Sequence, residues 1–263
     1  LTTGYKYTDG DTLTDPSLPI TGINSDIHNA FAALFSTFNL LGRTSNFIVE
    51  LPYLWGNSQG IVGDTIEIDR DLDGLADLAA TLSVNLLGAP SMNREQFTAL
   101  RRDPQPILGA SIRLVAPTGD YNKDELINTG ANRWATKLEV GYVYPLHPRW
   151  LLEGEIGAWL FGDNDDFVGK KREQDPIYSA EAHLVRRFRP GFWGSLDINY
   201  YRGGQTTVDG ENLDDLQRTT KFGATLLFPF NPRTALKSSY STGSASGDGN
   251  NFDSYLVSLN RRL

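Results

Sequence analysis

The sequence of 263 residues has no cysteine, so neither a disulfide framework nor a thiolate metal site is possible. Positive charge is scarce: 24 Lys and Arg stand against 32 Asp and Glu, a net charge of −8. A dedicated nucleic-acid binder would instead show a basic stripe. No run approaches the roughly 18 apolar residues of a membrane-spanning helix, although this test cannot detect transmembrane barrels. The chain opens at Leu1 without a signal sequence, so we expect a mature or trimmed product.

Glycine, tyrosine and phenylalanine are plentiful, at 26, 11 and 13 residues, a mix that favours an all-β protein. Runs in which apolar and polar residues alternate with a period of two recur along the chain, and each predicts a strand. About twelve such runs are present, most of them near the 9–11 residues that a tilted strand needs to cross a bilayer. They lie at 3–8, 28–38, 45–55, 75–86, 107–116, 134–144, 150–161, 177–188, 192–201, 219–228, 234–241 and 252–263.

The connections between these runs alternate between two kinds. Short turns lie at 40–43, 145–149, 189–191 and 229–233. Long polar segments, rich in Asp, Asn and Gly, lie at 9–26, 56–74, 117–132, 162–175, 202–217 and 242–251. Short turns on one rim and long loops on the other are typical of outer-membrane barrels. A soluble sandwich has no reason to segregate its loops in this way.

One connection on the short-turn side, 87–106, departs from this rule. Its segment "NREQFTALRR" predicts a short periplasmic helix near 93–101. Asn93 is placed to act as the N-cap, and Glu95 lies in the first turn, where a negative charge is favoured.

The stretch 137–159, "KLEVGYVYPLHPRWLLEGEIGAW", shows that each run has one apolar and one charged face. A twelve-stranded barrel is wide enough that side chains do not obviously fill it, so we expect the apolar faces to meet lipid and the charged faces to line water. Aromatic residues near strand ends suit interfacial girdles. They are Tyr5, Tyr7, Tyr53, Trp134, Tyr144, Trp150, Tyr178 and Tyr200. The alternative is a soluble β-protein with exposed polar faces.

Several long segments carry a resemblance to a known family. They are "SVNLLGAP" (83–90), "GASIRLVAPTGDY" (109–121), "LINTGANRW" (126–134), "LEGEIGAWLFGDNDDF" (152–167), "REQDPIYSAEAHL" (172–184), "FRPGFWGSLDINYYRGGQTTVDG" (188–210) and "GLADL" (74–78). The chain resembles the Gram-negative outer-membrane proteins named for the MetA-pathway of phenol degradation. This resemblance implies a monomeric twelve-stranded barrel that acts as a channel for small apolar or aromatic compounds. It carries over no catalytic motif.

The alternation also predicts which charged and polar side chains line the channel. They are Lys6, Arg113, Lys137, Glu139, Glu153, Glu155, Glu181, His183, Arg187, Asp197, Lys221 and Lys237. The two signs nearly balance within this set. The excess negative charge of the chain must therefore come largely from the long loops.

Register can be estimated where turns are short. Pairing across 189–191 places His183 opposite Asp197, and pairing Tyr144 with Trp150 places Glu139 opposite Glu155. We call Glu139, Glu155, His183 and Asp197 the acidic patch.

The acidic patch is expected to face Arg113, Lys221 or Lys237 across the lumen, with Lys137 diagonal to Glu155. Opposed charges of this kind make a transverse field that selects permeants by dipole and size. The alternative is that these residues only solvate the lumen and pair with one another.

Two other groups of residues could carry chemistry. Ser195 lies near His183 and Asp197, which are the parts of a Ser-His-Asp triad, but no G-x-S-x-G motif is present and the groups point inward, away from lipid. Residues 69–74, "DRDLDG", imitate a calcium loop through Asp69, Asp71 and Asp73. The twelfth position of that loop is Ala80, which offers no carboxylate, so an ordinary acidic surface loop is favoured.

We therefore predict a single domain over 1–263, an all-β transmembrane antiparallel up-and-down barrel of about twelve strands. It is expected to be integral to the bacterial outer membrane, with both termini periplasmic. Its expected work is passive uptake of small, hydrophobic or aromatic molecules, without catalytic residues, metal or cofactor. We expect contacts with lipid, lipopolysaccharide and a small-molecule permeant, no nucleic acid, and a monomer. The alternatives are an outer-membrane enzyme of the esterase or phospholipase type and a structural or adhesive barrel.

Overall fold

The structure, a computed structural model, describes residues 1–11, 24–62, 66–243 and 251–262, with the backbone alone over 60–62 and 66–68. Parts of the predicted long segments 9–26, 56–74 and 242–251 therefore lie outside the described residues. The described elements, in chain order, are β1 (Thr2–Asp11), β2 (Asn24–Leu40), β3 (Arg43–Val62), β4 (Ile66–Leu75), β5 (Leu78–Leu87), α1 (Arg94–Arg102), β6 (Ile107–Ala116), β7 (Ala135–His147), β8 (Trp150–Phe161), β9 (Asn164–Phe167), β10 (Lys170–Gln174), β11 (Ile177–Arg189), β12 (Phe192–Gly203), β13 (Thr206–Val208), β14 (Glu211–Asn212), β15 (Gln217–Asn231), β16 (Thr234–Gly243) and β17 (Phe252–Arg261).

Twelve of these strands close into an antiparallel barrel. Around the barrel the order is β1, β2, β3, β5, β6, β7, β8, β11, β12, β15, β16 and β17, and β17 then pairs with β1. The first and last strands meet with Thr2 opposite Asn260. Closure gives each of these twelve strands two hydrogen-bonded neighbours, so the barrel wall itself has no free edge. The predicted fold class is confirmed.

The two rims of the barrel differ as predicted. One rim, here called the turn rim, carries the tight connections 41–42, 148–149, 190–191 and 232–233, together with the segment 88–106 that contains α1. The opposite rim, here called the loop rim, carries the long connections. Two predicted strands, 107–116 and 150–161, have the bounds of β6 and β8. Most of the others extend a few residues further, because alternation continues into polar segments that composition alone marks as loop.

The predicted strand 75–86 is divided in the structure. β3 pairs with β5 as far as Glu50 and with β4 from Tyr53 onward, and the switch falls at Pro52. Proline has no N–H to give to the ladder, so only its carbonyl pairs there, accepting from Ala76 N at 3.0 Å. Beyond this point β3 and β4 continue as a long hairpin at the loop rim, where the sequence had indicated a loop.

Two of the predicted loops, 162–175 and 202–217, contain short strands. β14, β13, β10 and β9 form a separate four-stranded sheet at the loop rim. Its two hairpins turn at 168–169 and at 209–210, where Val168 and Asp209 have φ of 52° and 54° and the following glycines are also positive. Two successive positive φ angles define the tight hairpin turn that Asp-Gly favours. The "DG" at 209–210 was therefore a usable hairpin signal.

Helix α1 begins where the capping residue predicted it. The Asn93 side chain accepts from Gln96 N at 2.9 Å, and the Gln96 side chain accepts from Asn93 N at 2.9 Å, which completes a capping box. Arg101 and Arg102 occupy the last turn, where positive charge is favoured. Over the described residues, no helix is long and apolar enough to cross a membrane.

The apolar faces of the barrel strands point outward. Leu138 is 46% exposed, Ile156 66% and Leu196 66%, although all three lie in the middle of strands. Their neighbours Glu139, Glu155 and Asp197, on the other face, are largely covered. The barrel is therefore apolar outside and charged inside. In the stretch 137–159, the charged face is therefore the one that is buried.

Candidate functional site in the lumen

The interior of the barrel contains a cavity of about 590 Å³ that extends to helix α1 at the turn rim. Phe97 and Leu100 of α1 lie at this end, with Leu151, Val185 and Trp193 from the barrel wall. Eight of the twelve residues predicted to line a channel lie on the wall of the cavity. They are Glu153, Glu155, Glu181, His183, Arg187, Asp197, Lys221 and Lys237.

The other four predicted residues also belong to the inner face. Lys6 lies on the same face of β1 as the buried Thr8. Lys137 and Glu139 form an ion pair and belong to the same polar network as Glu181. The twelve positions are therefore internal, and their action on a permeant stays a prediction. We call these twelve residues, with Glu50, the charged layer.

Arg113, the fourth of these residues, does not face the acidic patch. Its guanidinium binds Glu50 and also donates to Thr81 at 3.4 Å. Glu50 is on β3, Thr81 on β5 and Arg113 on β6, so the contact spans three adjacent strands on one side of the barrel. The expectation that Arg113 opposes the patch is wrong, whereas Lys221 and Lys237 do lie on the wall of the same cavity.

The predicted pairing of His183 with Asp197 is confirmed. The two residues are opposite on β11 and β12, and His183 Nδ1 lies 2.7 Å from Asp197 Oδ1. Thr225 on β15 donates to the other Asp197 oxygen at 3.3 Å. Strand pairing therefore places the histidine against a fixed carboxylate.

The predicted pairing of Glu139 with Glu155 is wrong by two residues. Glu155 lies opposite Gly141, and Glu139 lies opposite Gly157. Pairing of β7 with β8 continues through Pro145 to His147, with an irregularity there, so the turn is shorter than the sequence suggested. The two glutamates are still diagonal neighbours on the inner face of β7 and β8.

A further acidic contact was missed by sequence reasoning. On β8 and β11, Glu155 is directly opposite Glu181, and Glu153 is opposite His183. Lys137 Nζ lies 2.8 Å from Glu181 Oε1 and also contacts Glu139, so the prediction that it is diagonal to Glu155 is wrong. The connection between these strands runs through 162–175. Its length gave no estimate of register.

An apolar layer lies on the inner face of β5 to β12, on the loop-rim side of the charged layer. It consists of Ala79, Val115, Ala135, Trp159 and Ile177, with Phe161 and Tyr201 packed against them. Trp159 is only 4% exposed and stacks on Phe161, with ring centroids 6.4 Å apart. The sequence could have indicated this layer through its alternation, because Trp159 and Phe161 are on the same inner face of β8 as Glu153 and Glu155.

Above the apolar layer, residues 117–134 fold inward from the loop rim. We call this segment the polar cap. The Asp77 carboxylate, between β4 and β5, accepts from Thr118 N at 3.0 Å, Gly119 N at 2.8 Å and Ala131 N at 2.9 Å. Gly119 lies against Gly130, and a Cβ on Gly119 would be 2.8 Å from the Gly130 Cα. This close approach requires glycine at both positions.

Arg133 joins the polar cap to the apolar layer. Its side chain donates to Gln174, and its guanidinium lies 4.6 Å from the centroid of the Phe161 ring. Burial, together with the nearby Arg172, lowers the pKa of Arg133 to about 9. A poorly solvated cation therefore lies directly over the aromatic rings.

Comparison with known proteins agrees with this architecture. Residues 21–260 match the family described as the MetA-pathway of phenol degradation. The chain belongs to this family. No curated protein matches it significantly.

Among solved structures, this family member is similar to an outer-membrane channel from Pseudomonas putida F1, with a TM-score of 0.77 and 24% identity over 99% of this chain and 93% of that one. It is also similar to the NanC porin, with a TM-score of 0.55 and 10% identity over the whole of both chains. The β domain of the Bordetella autotransporter BrkA gives a TM-score of 0.55 and 14% identity over 100% of this chain and 98% of that one. At these identities the likeness concerns the fold, which is that of outer-membrane barrels.

The candidate triad in this family member does not have the required connectivity. The Ser195 hydroxyl hydrogen-bonds to Asp197, the same carboxylate that binds His183. In a Ser-His-Asp triad the serine would instead bond to the histidine. The three side chains are close together, but Asp197, and not His183, is the central residue of the cluster.

The candidate calcium residues lie on a strand. Asp69, Asp71 and Asp73 alternate along β4, and Asn57 Nδ2 donates to Asp69 at 2.8 Å and to Asp71 at 3.0 Å. The Tyr53 hydroxyl donates to Asp73. Alternate residues of a strand are spread along its length, whereas a calcium loop curls its ligands around one point. The expected surface loop at 69–74 is therefore corrected to a strand.

Proposed function

We propose that this protein is an outer-membrane channel through which small, apolar or aromatic molecules diffuse passively. One observation carries the proposal: a closed barrel with an apolar outer surface encloses a cavity of about 590 Å³. That volume falls within the range of roughly 300–1,000 Å³ that small-molecule sites occupy. The similar structures include a channel and a porin, and family membership adds the association with phenol degradation.

Two bands of aromatic side chains on the outer surface support a position in a membrane. Near the turn rim, Phe188 lies 4.7 Å from Phe192, whose ring lies 5.5 Å from Phe228. Toward the loop rim, Tyr7 donates to Asp26 at 3.1 Å and Tyr240 to Asp253 at 2.6 Å. Aromatic residues with polar tips are favoured where hydrocarbon gives way to headgroups. The apolar surface between the bands contacts lipid, and the loop rim contacts lipopolysaccharide.

We assign the turn rim, and with it both termini, to the periplasm. Leu1 and Arg261 meet at this rim, where the Arg261 N–H donates to the Leu1 carbonyl at 2.7 Å. Bacterial outer-membrane barrels keep short turns in the periplasm and long loops outside. Helix α1 then stands at the periplasmic exit of the lumen, and the polar cap stands at the entrance. We propose a monomer, because each of the twelve barrel strands finds both of its hydrogen-bonded neighbours within the chain.

The preference for apolar molecules rests on the layer around Trp159. A permeant that crosses this layer leaves water and contacts Trp159, Phe161 and Tyr201. Transfer of apolar surface from water to such side chains is favourable, whereas a charged solute loses hydration there without a compensating partner. The apolar layer therefore discriminates by polarity, and the charged layer beyond it keeps the cavity wet.

The test is uptake of a radiolabelled aromatic hydrocarbon, such as toluene, by cells that lack or overproduce the protein. We expect faster entry with the protein and no change for a charged analogue such as benzoate. Trp159→Phe keeps the layer apolar, whereas Trp159→Glu places a carboxylate in it. We expect toluene uptake to persist with the first substitution and to fall with the second. Equal toluene entry in all strains would reject the channel, and preferential benzoate entry would reject the assignment to apolar permeants.

A further inference from the structure

The wall of the cavity also holds a set of metal-ligating atoms. A ring nitrogen of His183 and one carboxylate oxygen each from Glu155 and Glu181 lie within 4.8 Å of one another. We propose that these three residues bind one divalent transition-metal ion, of the Zn²⁺ class, inside the lumen. This site is independent of the proposed transport, because it is defined by the side chains and can be tested on the isolated protein.

Strand pairing brings the three ligands together. Glu155 and Glu181 are directly opposite on β8 and β11, and His183 follows Glu181 by two residues on the same inner face. Opposed side chains on one face of a sheet have Cβ atoms about 5 Å apart, a span that one ion can bridge. Metal–ligand bonds of about 2.0–2.1 Å place two ligand atoms roughly 3.3 Å apart, so binding requires the glutamate side chains to rotate inward from separations of up to 4.8 Å.

His183 is oriented as a metal-binding histidine. Its Nδ1 is occupied by Asp197 Oδ1 at 2.7 Å, which leaves Nε2 available for an ion. Asp197 is itself held by the Thr225 hydroxyl at 3.3 Å and by Ser195. A carboxylate behind a histidine fixes the ring tautomer and makes the other nitrogen a better ligand, and metal-binding histidines usually have such a partner.

The charge of the surroundings favours a dication. Glu139 is the diagonal neighbour of Glu155, and Glu153 lies opposite His183. Carboxyl groups in contact repel one another when ionised, so a dication among them removes repulsion as well as gaining ligands. Lys137, 2.8 Å from Glu181, would then keep its second ion-pair partner, Glu139.

The ligand types select the class of metal. One imidazole and two carboxylates suit Zn²⁺, Co²⁺ or Ni²⁺, whereas Mg²⁺ and Ca²⁺ prefer oxygen ligands alone. Three protein ligands leave a position for water, and the cavity lies on that side. A bound ion would therefore lie on the wall of the cavity and be accessible from the lumen.

The experiment uses the folded full chain in detergent micelles, titrated with ZnCl₂ by calorimetry and with CoCl₂ by visible absorption. We expect one Zn²⁺ per chain, a Co²⁺ spectrum of low coordination number, and no binding of Mg²⁺ at the same concentrations. His183→Gln, Glu155→Gln and Glu181→Gln preserve side-chain size and should each weaken Zn²⁺ binding by about 10-fold or more. His147→Gln changes the exposed histidine at the end of β7 and serves as the matched control.

Heat-dependent gel migration, which reports a closed barrel, establishes that each variant is folded before titration. Absence of saturable Zn²⁺ binding to the wild-type chain would overturn the proposal. So would equal Zn²⁺ affinity in the wild type and in any folded variant among the three, since binding would then occur elsewhere. Loss of binding in the His147→Gln control would likewise place the ion outside the lumen. If Zn²⁺ binds as expected while toluene uptake is absent, the metal site stands and the channel proposal alone fails.

Discussion

The polar cap and the charged layer both place carboxylates inside the barrel, but they use them in opposite ways. Asp77 at the cap accepts three backbone N–H groups and is only 7% exposed. Glu155 in the charged layer contacts other acids beside the cavity. A carboxylate surrounded by fixed donors stabilises one arrangement of the backbone. A carboxylate surrounded by other acids favours the binding of exchangeable cations or protons.

Of the substitutions that test this difference, removal of the Asp77 carboxylate should have the largest effect, a loss of stability. Asp77→Ala leaves three backbone donors of the polar cap without their acceptor, and we expect a loss of about 4 kcal/mol in the free energy of unfolding. Asp77→Asn keeps one acceptor oxygen and should lose about half as much. Denaturant unfolding in detergent micelles measures both. If Asp77→Ala unfolded like the wild type, the cap would not depend on this residue.

A methyl group at the glycine contact of the cap should have the next largest effect. In Gly119→Ala the new Cβ would lie 2.8 Å from Gly130, and we expect a loss of about 2 kcal/mol. Gly154→Ala is the matched control, because nothing lies within 4 Å of its added Cβ. Equal unfolding midpoints for the two variants would show that the cap can move to make room.

Reversal of a charge on the cavity wall should change transport rather than stability. In Glu155→Lys a positive side chain replaces an acid beside the cavity, and we expect about a twofold lower preference for K⁺ over Cl⁻. The reversal potential in planar bilayers under a KCl gradient measures this ratio. Glu173→Lys, on β10 away from the lumen, is the control. Unchanged reversal potentials for Glu155→Lys would remove this residue from any selectivity filter.

The smallest effect is expected for Ser195→Ala. The hydroxyl hydrogen-bonds to Asp197, so its loss should cost less than about 1 kcal/mol of stability. Hydrolysis of p-nitrophenyl esters and of phospholipid should not differ between the wild type and this variant. A wild-type esterase rate that disappears in Ser195→Ala would reverse the reading of this cluster and support the enzyme alternative.

Local rules were sufficient for part of this molecule. The strands, the N-cap Asn93 and the pairing of His183 with Asp197 followed from alternation, capping chemistry and a short turn. Register across 162–175 did not follow, because a long loop fixes no alignment between the strands it joins. For that reason the pairing of Glu155 with Glu181 came only from the structure.

Composition does not predict structure correctly where polar residues continue a strand or enter a core. The hairpin of β3 and β4 is polar on its outer face, so its composition indicates a loop although it is a strand pair. The contacts of Asp77 come from 118–131, and no sequence period connects residues so far apart. The apolar layer was not predicted for a related reason, since Trp159 lies on the same face of β8 as Glu153 and Glu155.

The seam between β1 and β17 has a consequence for how this protein is made. Thr2 meets Asn260, so β1 finds its second neighbour only after β17 has been synthesised. Until then β1 and β16 each have an edge of unpaired backbone amides, which hydrocarbon does not tolerate. A chain that lacks β17 would therefore be a substrate for periplasmic proteases rather than a smaller pore.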